Sequence, residues 1–291
     1  ILVGLILVPG FTLAQVFGYA VNSDDQADAD NLLRVNLDTG AVQFIGPLPS
    51  ALEDVEGLAF SPDGTLYAVD NATKAVFVVN EQSGGAVALD NRRPNLGFSP
   101  SSSLDFGMTF TCGNQLLLVA EETMSLYDVD VTTGQARVIG DSGGLAAPMT
   151  AVASYGASTV ALAATGGLYR IDVAAGTSAL IGTLDGYDIS DAGLAFDETG
   201  TLWAILDGLT DTGDFRPSRV LRVDPATAQA TEVAQTRTGI ESLAVAPPGG
   251  CDLSGTPSPA PAEVPVNSPT GLAILAALML LLAAGRLRPT R

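Results

Sequence analysis

Apolar and polar residues alternate along most of this chain in short runs. A period of two is the mark of a β-strand with one face buried. Leu32-Leu-Arg-Val35 and Val42-Gln-Phe-Ile45 form one pair of such runs; Leu126-Tyr-Asp-Val129 and Ala136-Arg-Val-Ile139 form another. Between the members of each pair stands the same turn: an Asn or Asp, three residues, then Gly. The copies are Asn36 to Gly40, Asn80 to Gly84, Asp130 to Gly134, Asp172 to Gly176 and Asp224 to Ala228, and they start 44, 50, 42 and 52 residues apart. The opening Asn or Asp can accept a backbone N–H two residues on, and Gly tolerates the positive φ that closes the turn. Ala228 in the fifth copy predicts a different turn subtype there.

A second unit recurs between these hairpins: Gly57-Leu-Ala-Phe60, Gly107-Met-Thr-Phe110, Ala151-Val-Ala-Ser154, Gly193-Leu-Ala-Phe196 and Ser242-Leu-Ala-Val245. Small residues alternating with apolar ones suit a strand packed tightly on both sides. A Gly-containing turn and another strand follow, as in Ser61-Pro-Asp-Gly64 and Thr65-Leu-Tyr-Ala-Val69. One supersecondary unit repeating at this period predicts an all-β, five-bladed β-propeller with four strands per blade. The last inner strand, Ser242 to Val245, has no strands after it. The first strands, Phe17 to Val21, Leu32 to Val35 and Val42 to Ile45, have no inner strand before them. The two chain ends are therefore predicted to complete one blade together, which closes the ring without an open edge.

The composition changes at both ends of this repeat. Residues 1–14 are apolar, and Thr12 and Ala14 fit the small-residue rule for signal-peptide cleavage before Gln15. The propeller is expected over 15–250, a Pro-rich linker over 251–263, and a short motif, apolar helix and basic tail over 264–291. The uncharged run from Gly271 to Gly285 covers about 22 Å as a helix, against about 30 Å of hydrocarbon. With its flanks it could span a thinned membrane. Arg286, Arg288 and Arg291 beyond it predict a cytoplasmic tail and an external propeller.

Charge narrows the chemistry. Against 32 acidic residues stand 13 Lys and Arg, for a net charge of −19, and there is no His. Acidity with export excludes nucleic acid as a partner. Without His there is no Ser-His-Asp or Cys-His relay and no histidine metal site. What remains is carboxylate. Most of the acids fall on the predicted loops of one face, and Glu56, Asp105, Asp191 and Glu241 immediately precede inner strands. These four are expected to ring the mouth of the central channel. Converging hard oxygen ligands suit calcium; acidic loops that only keep an exported protein soluble are the alternative. The two cysteines, Cys112 and Cys251, each follow an inner strand. In an oxidising compartment they are expected to form a disulfide on the face opposite the acids, with Gly249 and Gly250 letting the chain cross one intervening blade.

Gly57-Leu-Ala-Phe-Ser-Pro-Asp-Gly-Thr-Leu-Tyr-Ala-Val-Asp70 and Gly193-Leu-Ala-Phe-Asp-Glu-Thr-Gly-Thr-Leu-Trp-Ala-Ile205 resemble the repeats of secreted bacterial NHL and YVTN propellers, over residues 17–247. The tail resembles the C-terminal sorting signals of Gram-negative bacteria. Val264-Pro265 and Ser268-Pro269-Thr270-Gly271-Leu272 match the IPTL-CTERM type, Val266-Asn267 departs from it, and the PEP-CTERM type is the alternative. The resemblance implies transient anchoring in the inner membrane, a sorting or processing protease as partner, and delivery to the cell surface or exterior. It does not specify a function, because such propellers include enzymes, binders and scaffolds. No catalytic site stands out. The leading expectation is a binding or scaffold module that meets a surface or extracellular ligand through its acidic face. The competing one is a calcium-dependent hydrolase, since Glu56-Gly57-Leu58 is similar to the Glu-Gly entry of some phytase-like and lactonase-like propellers.

Overall fold

The computed structural model describes residues 15–251 apart from 24–28, 100, 103, 188, 190 and 208–215. The signal-like segment, nearly all of the linker, the sorting motif and the apolar C-terminal run lie outside the described residues, as do Asp24, Asp25, Asp28, Asp188, Asp211 and Asp214. Among the described residues no helix is long and apolar enough to cross a membrane.

Five antiparallel sheets follow one another around the ring. Blade 1 comprises β4 (Val55–Phe60), β5 (Leu66–Asp70), β6 (Ala75–Val79) and β7 (Ala86–Ala88). Blade 2 comprises β8 (Phe106–Phe110), β9 (Leu116–Ala120), β10 (Ser125–Val129) and β11 (Ala136–Ile139). Blade 3 has β12 (Met149–Tyr155), β13 (Ser158–Ala163), β14 (Gly167–Asp172) and β15 (Thr177–Thr183). Blade 4 has β16 (Asp191–Phe196), β17 (Leu202–Asp207), β18 (Pro217–Val223) and β19 (Ala230–Thr238). Blade 5 is built from β1 (Phe17–Val21), β2 (Asn31–Asn36) and β3 (Val42–Pro47). Its inner position is filled from the other chain end, as the repeat count requires. The closing segment makes a single bridge rather than a full ladder: Tyr19 and Ala244 exchange both backbone hydrogen bonds, at 2.7 and 2.9 Å, and the Val21 N–H donates to Ser242 Oγ.

Burial follows radius. Every residue of β4 and β8 is buried, whereas β3 and β15 are largely exposed. The core consists of apolar wedges between neighbouring blades. Leu58, Leu66 and Phe77 of blade 1 pack on Val21 and Leu32 of blade 5, and Leu33 and Val35 of blade 5 pack on Trp203 and Val220 of blade 4.

The recurring turn has two jobs. Asp172 Oδ1 accepts the N–H groups of Ala174 and Ala175, and the Gly176 N–H donates to the Asp172 carbonyl at 2.8 Å. The closing residue also presses on the outer strand of the preceding blade. A Cβ on Gly176, at φ +67°, would lie 1.9 Å from the Ile139 carbonyl oxygen. Before blade 2, β7 is too short to supply that surface. There Asn95 pairs with Val76 through its side chain, accepting at 2.9 Å and donating at 3.1 Å, and the turn at Gly134 abuts it. Gly176→Ala should therefore cost more than a lone positive-φ penalty. Gly64, at φ +84° with open space around it, is the control. Gly64→Ala is expected to cost about 1–2 kcal/mol and Gly176→Ala a further 1–3 kcal/mol or so by chemical denaturation.

Ala228 corrects the expectation of a different turn. It adopts φ +63°, its N–H donates to the Asp224 carbonyl at 2.8 Å, and Asp224 Oδ1 accepts the Ala226 N–H, as in the other copies. Gly182 on the preceding outer strand leaves room for its methyl group.

Cys112 and Cys251 are bonded, with Cα atoms 5.4 Å apart. The route differs from the expected one. The strap 246–251 runs past blades 4 and 3: Gly249 lies beside Glu198 and Tyr155, and the Gly156 N–H donates to the Gly249 carbonyl at 2.8 Å. Pro247 and Pro248 line the lower end of the channel.

Candidate functional site

The acids at the upper mouth of the channel do not occupy one repeat position. Asp105 and Asp191 stand two residues before the inner-strand motif, Glu56 and Glu241 one residue before it. Bulges reconcile the two settings. On β4, Val55 pairs with Asp70 and Gly57 with Val69, so Glu56 is an extra residue without a ladder partner. Thr150 is the same kind of insertion on β12, between Met149 and Ala151. A bulge re-aims the side chain it carries.

Asp54, Glu56 and Glu241 bring carboxylate oxygens within 4.8 Å of one another. Glu56 and Glu241 are buried, 5% and 2% exposed, and Asp54 is half-buried. The Glu56 carboxylate makes no hydrogen bond or ion pair among the described residues. Asp191 accepts a short hydrogen bond from the Thr150 hydroxyl. Asp105 accepts from Asn71 Nδ2 at 3.1 Å, and its own N–H donates to Glu122 Oε2. Of the four residues expected to ring the mouth, Glu56 and Glu241 thus meet and are joined by Asp54. Asp105 and Asp191 share their electrostatic neighbourhood, each with a partner of its own.

The loop carrying Asp54 is held from behind. Buried Asp70 accepts the N–H groups of Glu53 and Asp54 on one oxygen, both at 3.0 Å, and the backbone N–H and side-chain O–H of Thr73 on the other. Asn71 Nδ2 donates to Asp54 Oδ2 at 2.9 Å. Below the acids the channel narrows to a cavity of about 10 Å³ bordered by Leu58, Met108, Leu194 and Leu243. These side chains give the channel beneath the acids an apolar lining.

Burial is the main force on these acids. It holds the Glu56 carboxyl well above the usual carboxylate range, helped by the charges of Glu241, Asp191, Asp54 and Asp105. Burial also pushes Asp191 up to about 8; the Thr150 hydrogen bond opposes this and Asp105 and Glu121 reinforce it. Between roughly pH 4 and pH 8 the unfolded chain has released these protons and the folded chain retains them. Stability without metal must then fall as pH rises through that window. The expected result is a melting temperature in chelator that declines from pH 5 to pH 8. A flat profile would show that the acids are ionised at no cost.

Position alone named Glu56, Asp105, Asp191 and Glu241. Among the described residues Asp54, Thr150, Asn71 and the buried Lys74 join them at the mouth, and the repeat hides these four. Asp54 lies outside the strand motif, Thr150 replaces an acid, and the bulges that align both settings leave no mark in a hydropathy pattern.

A family model described as a repeat of unknown function (DUF6923) matches residues 10–181, more than half of the chain. The chain belongs to the DUF6923 family. Among curated proteins none matches it. Among solved structures this DUF6923 protein is similar to virginiamycin B lyase from Staphylococcus aureus, at 14% identity over 75% of this chain and 86% of that one, with a TM-score of 0.42. It is also similar to a chain of a nidogen/laminin complex, at 13% identity over 81% and 100% of the two chains, with a TM-score of 0.49. A structural genomics protein of unknown function from Bacteroides thetaiotaomicron is 13% identical over 77% and 58%, with a TM-score of 0.45.

Proposed function

We propose that this protein is an exported, envelope- or surface-sorted propeller that acts as a binding or scaffold module through its acidic face, with a hard cation, calcium, held at the mouth. The observation that carries this reading is the trio Asp54, Glu56 and Glu241: oxygens within 4.8 Å, two of the three residues buried, and Glu56 without a hydrogen-bond partner among the described residues. Like charges packed this closely out of water must be protonated or compensated. A divalent ion with several oxygen ligands compensates them best, and carboxylates are the ligands calcium prefers.

The disulfide is consistent with export. The ligand met through the acidic face would be a surface or extracellular one. The signal peptide, the sorting tail and its protease belong to the same proposal.

The hydrolase reading would use the same cation, but among the described residues the side chains identified at the mouth are carboxylates, Asn71, Thr150 and Lys74. The full chain, loaded with calcium and offered panels of phosphoesters and lactones, is expected to show no turnover while retaining the ion. Turnover that disappears in Glu56→Gln would replace the binding module with an enzyme.

A further inference from the structure

Lys74 is the only lysine of the chain, and among the described residues it is the one buried cationic side chain, 2% exposed. It sits at the rim of the acidic mouth, within electrostatic reach of Asp54, Asp105, Glu122 and Asp70. Its Nζ donates to the Asn71 carbonyl at 2.6 Å and, in a short bond, to Asn71 Oδ1. With Oδ1 committed to the ammonium, the Asn71 amide turns its two N–H bonds to Asp54 Oδ2 at 2.9 Å and Asp105 Oδ1 at 3.1 Å. One positive charge is thereby relayed to two carboxylates.

The fold does not demand a lysine here. Lys74 precedes the third strand of its blade at φ +51°, and the equivalent places hold Met124 at +45°, Gly166 at +83° and Asp30 at +61°. The left-handed conformation belongs to the turn, and the ammonium is a local addition to it. Around that ammonium stand the Asn71 carbonyl, Asn71 Oδ1 and, through the amide, Asp54 and Asp105. Without the ammonium these are hard oxygen donors of the sort a divalent ion collects.

We propose that Lys74 is a tethered counter-ion that fills one of two adjacent cation positions at the channel mouth and so limits the metal site to a single ion at Asp54, Glu56 and Glu241. This rests on the cation reading given above. The second position is formed by the Asn71 carbonyl and Oδ1, with the Asp54 and Asp105 carboxylates held on the N–H side of the same amide, and it is closed to free ions because the chain supplies its own.

The test is the number of calcium ions bound by the full chain, measured by equilibrium dialysis for the wild type, Lys74→Met and Lys74→Arg. Lys74→Met keeps the length of the side chain and removes its charge. It is expected to bind one more calcium ion than the wild type, while Lys74→Arg binds the same number as the wild type. Equal numbers for wild type and Lys74→Met would overturn the proposal. A wild type that binds no calcium would remove the cation reading, yet the comparison still decides: a Lys74→Met protein that gains an ion supports the tether, and one that gains none refutes it. Should Lys74→Met not fold, wild-type protein labelled with ¹⁵N at lysine gives a single Nζ signal. An ammonium signal that persists at neutral pH and moves with calcium supports the tether; one indifferent to calcium overturns it.

Discussion

Replacing both cysteines by serine is expected to remove about 5 kcal/mol of stability. The bond between Cys112 and Cys251 closes a loop across a sequence separation of 139. In the chain-entropy account, cross-linking at that distance stabilises by on the order of 5 kcal/mol through the unfolded state. The native state adds a topological reason. The strap 246–251 follows the segment that fills the inner place of blade 5, and that segment is held to β1 by one bridge pair. Cutting the bond leaves the strap held by the Gly156–Gly249 hydrogen bond, and the closing segment by its bridge, the Val21–Ser242 hydrogen bond and the burial of Leu243 and Ala244. For a propeller of this size the expected fall in melting temperature is about 10–20 °C. A double serine variant that melts within a few degrees of the oxidised wild type would show that the ring closes without the strap.

The second large effect is expected at the same seam. Trp203, the only tryptophan of the chain, is 1% exposed and packs with Leu33, Val35 and Val220 where blade 4 meets the composite blade 5. Its Nε1–H donates to Asp197 Oδ2 at 2.9 Å, and the Arg222 guanidinium lies 4.6 Å above the ring. Burial pushes Asp197 up, but the hydrogen bonds of Thr199, Trp203 and Thr201 outweigh it and leave the carboxyl below the usual range. Trp203→Ala removes a large buried side chain and a donor to that carboxylate, and about 3–5 kcal/mol should be lost. Trp203→Phe keeps most of the packing and should cost clearly less. Because the indole is unique, its fluorescence reports the seam in the wild type. Urea should shift it together with circular dichroism if the ring opens as one unit. A seam transition well ahead of the global one would mean that blade 5 detaches first.

How much of this was legible in the sequence depends on distance along the chain. The five Asn or Asp turns and the small-residue inner strands are local patterns, and they placed the blades, the split fifth blade and the cysteine pair. Ala228 misled because the space for its methyl group is made by Gly182, in another blade. The strap misled because its route is set by Tyr155 and Glu198, which no spacing connects to Gly249. At the mouth, the acids flanking inner strands were readable as position. Which of them meet was not, since a one-residue bulge at Glu56 changes the direction of the side chain while leaving the residue count almost untouched.

On the function proposed above, the acidic mouth holds a hard cation. Calorimetric titration of the chelator-treated full chain with calcium, beside the Glu56→Gln variant, tests it most directly. The wild type is expected to bind one ion, with release of protons at neutral pH as the buried carboxyls ionise, and binding should weaken at least tenfold in Glu56→Gln. No heat of binding in the wild type, or equal binding by the folded Glu56→Gln protein, would contradict it.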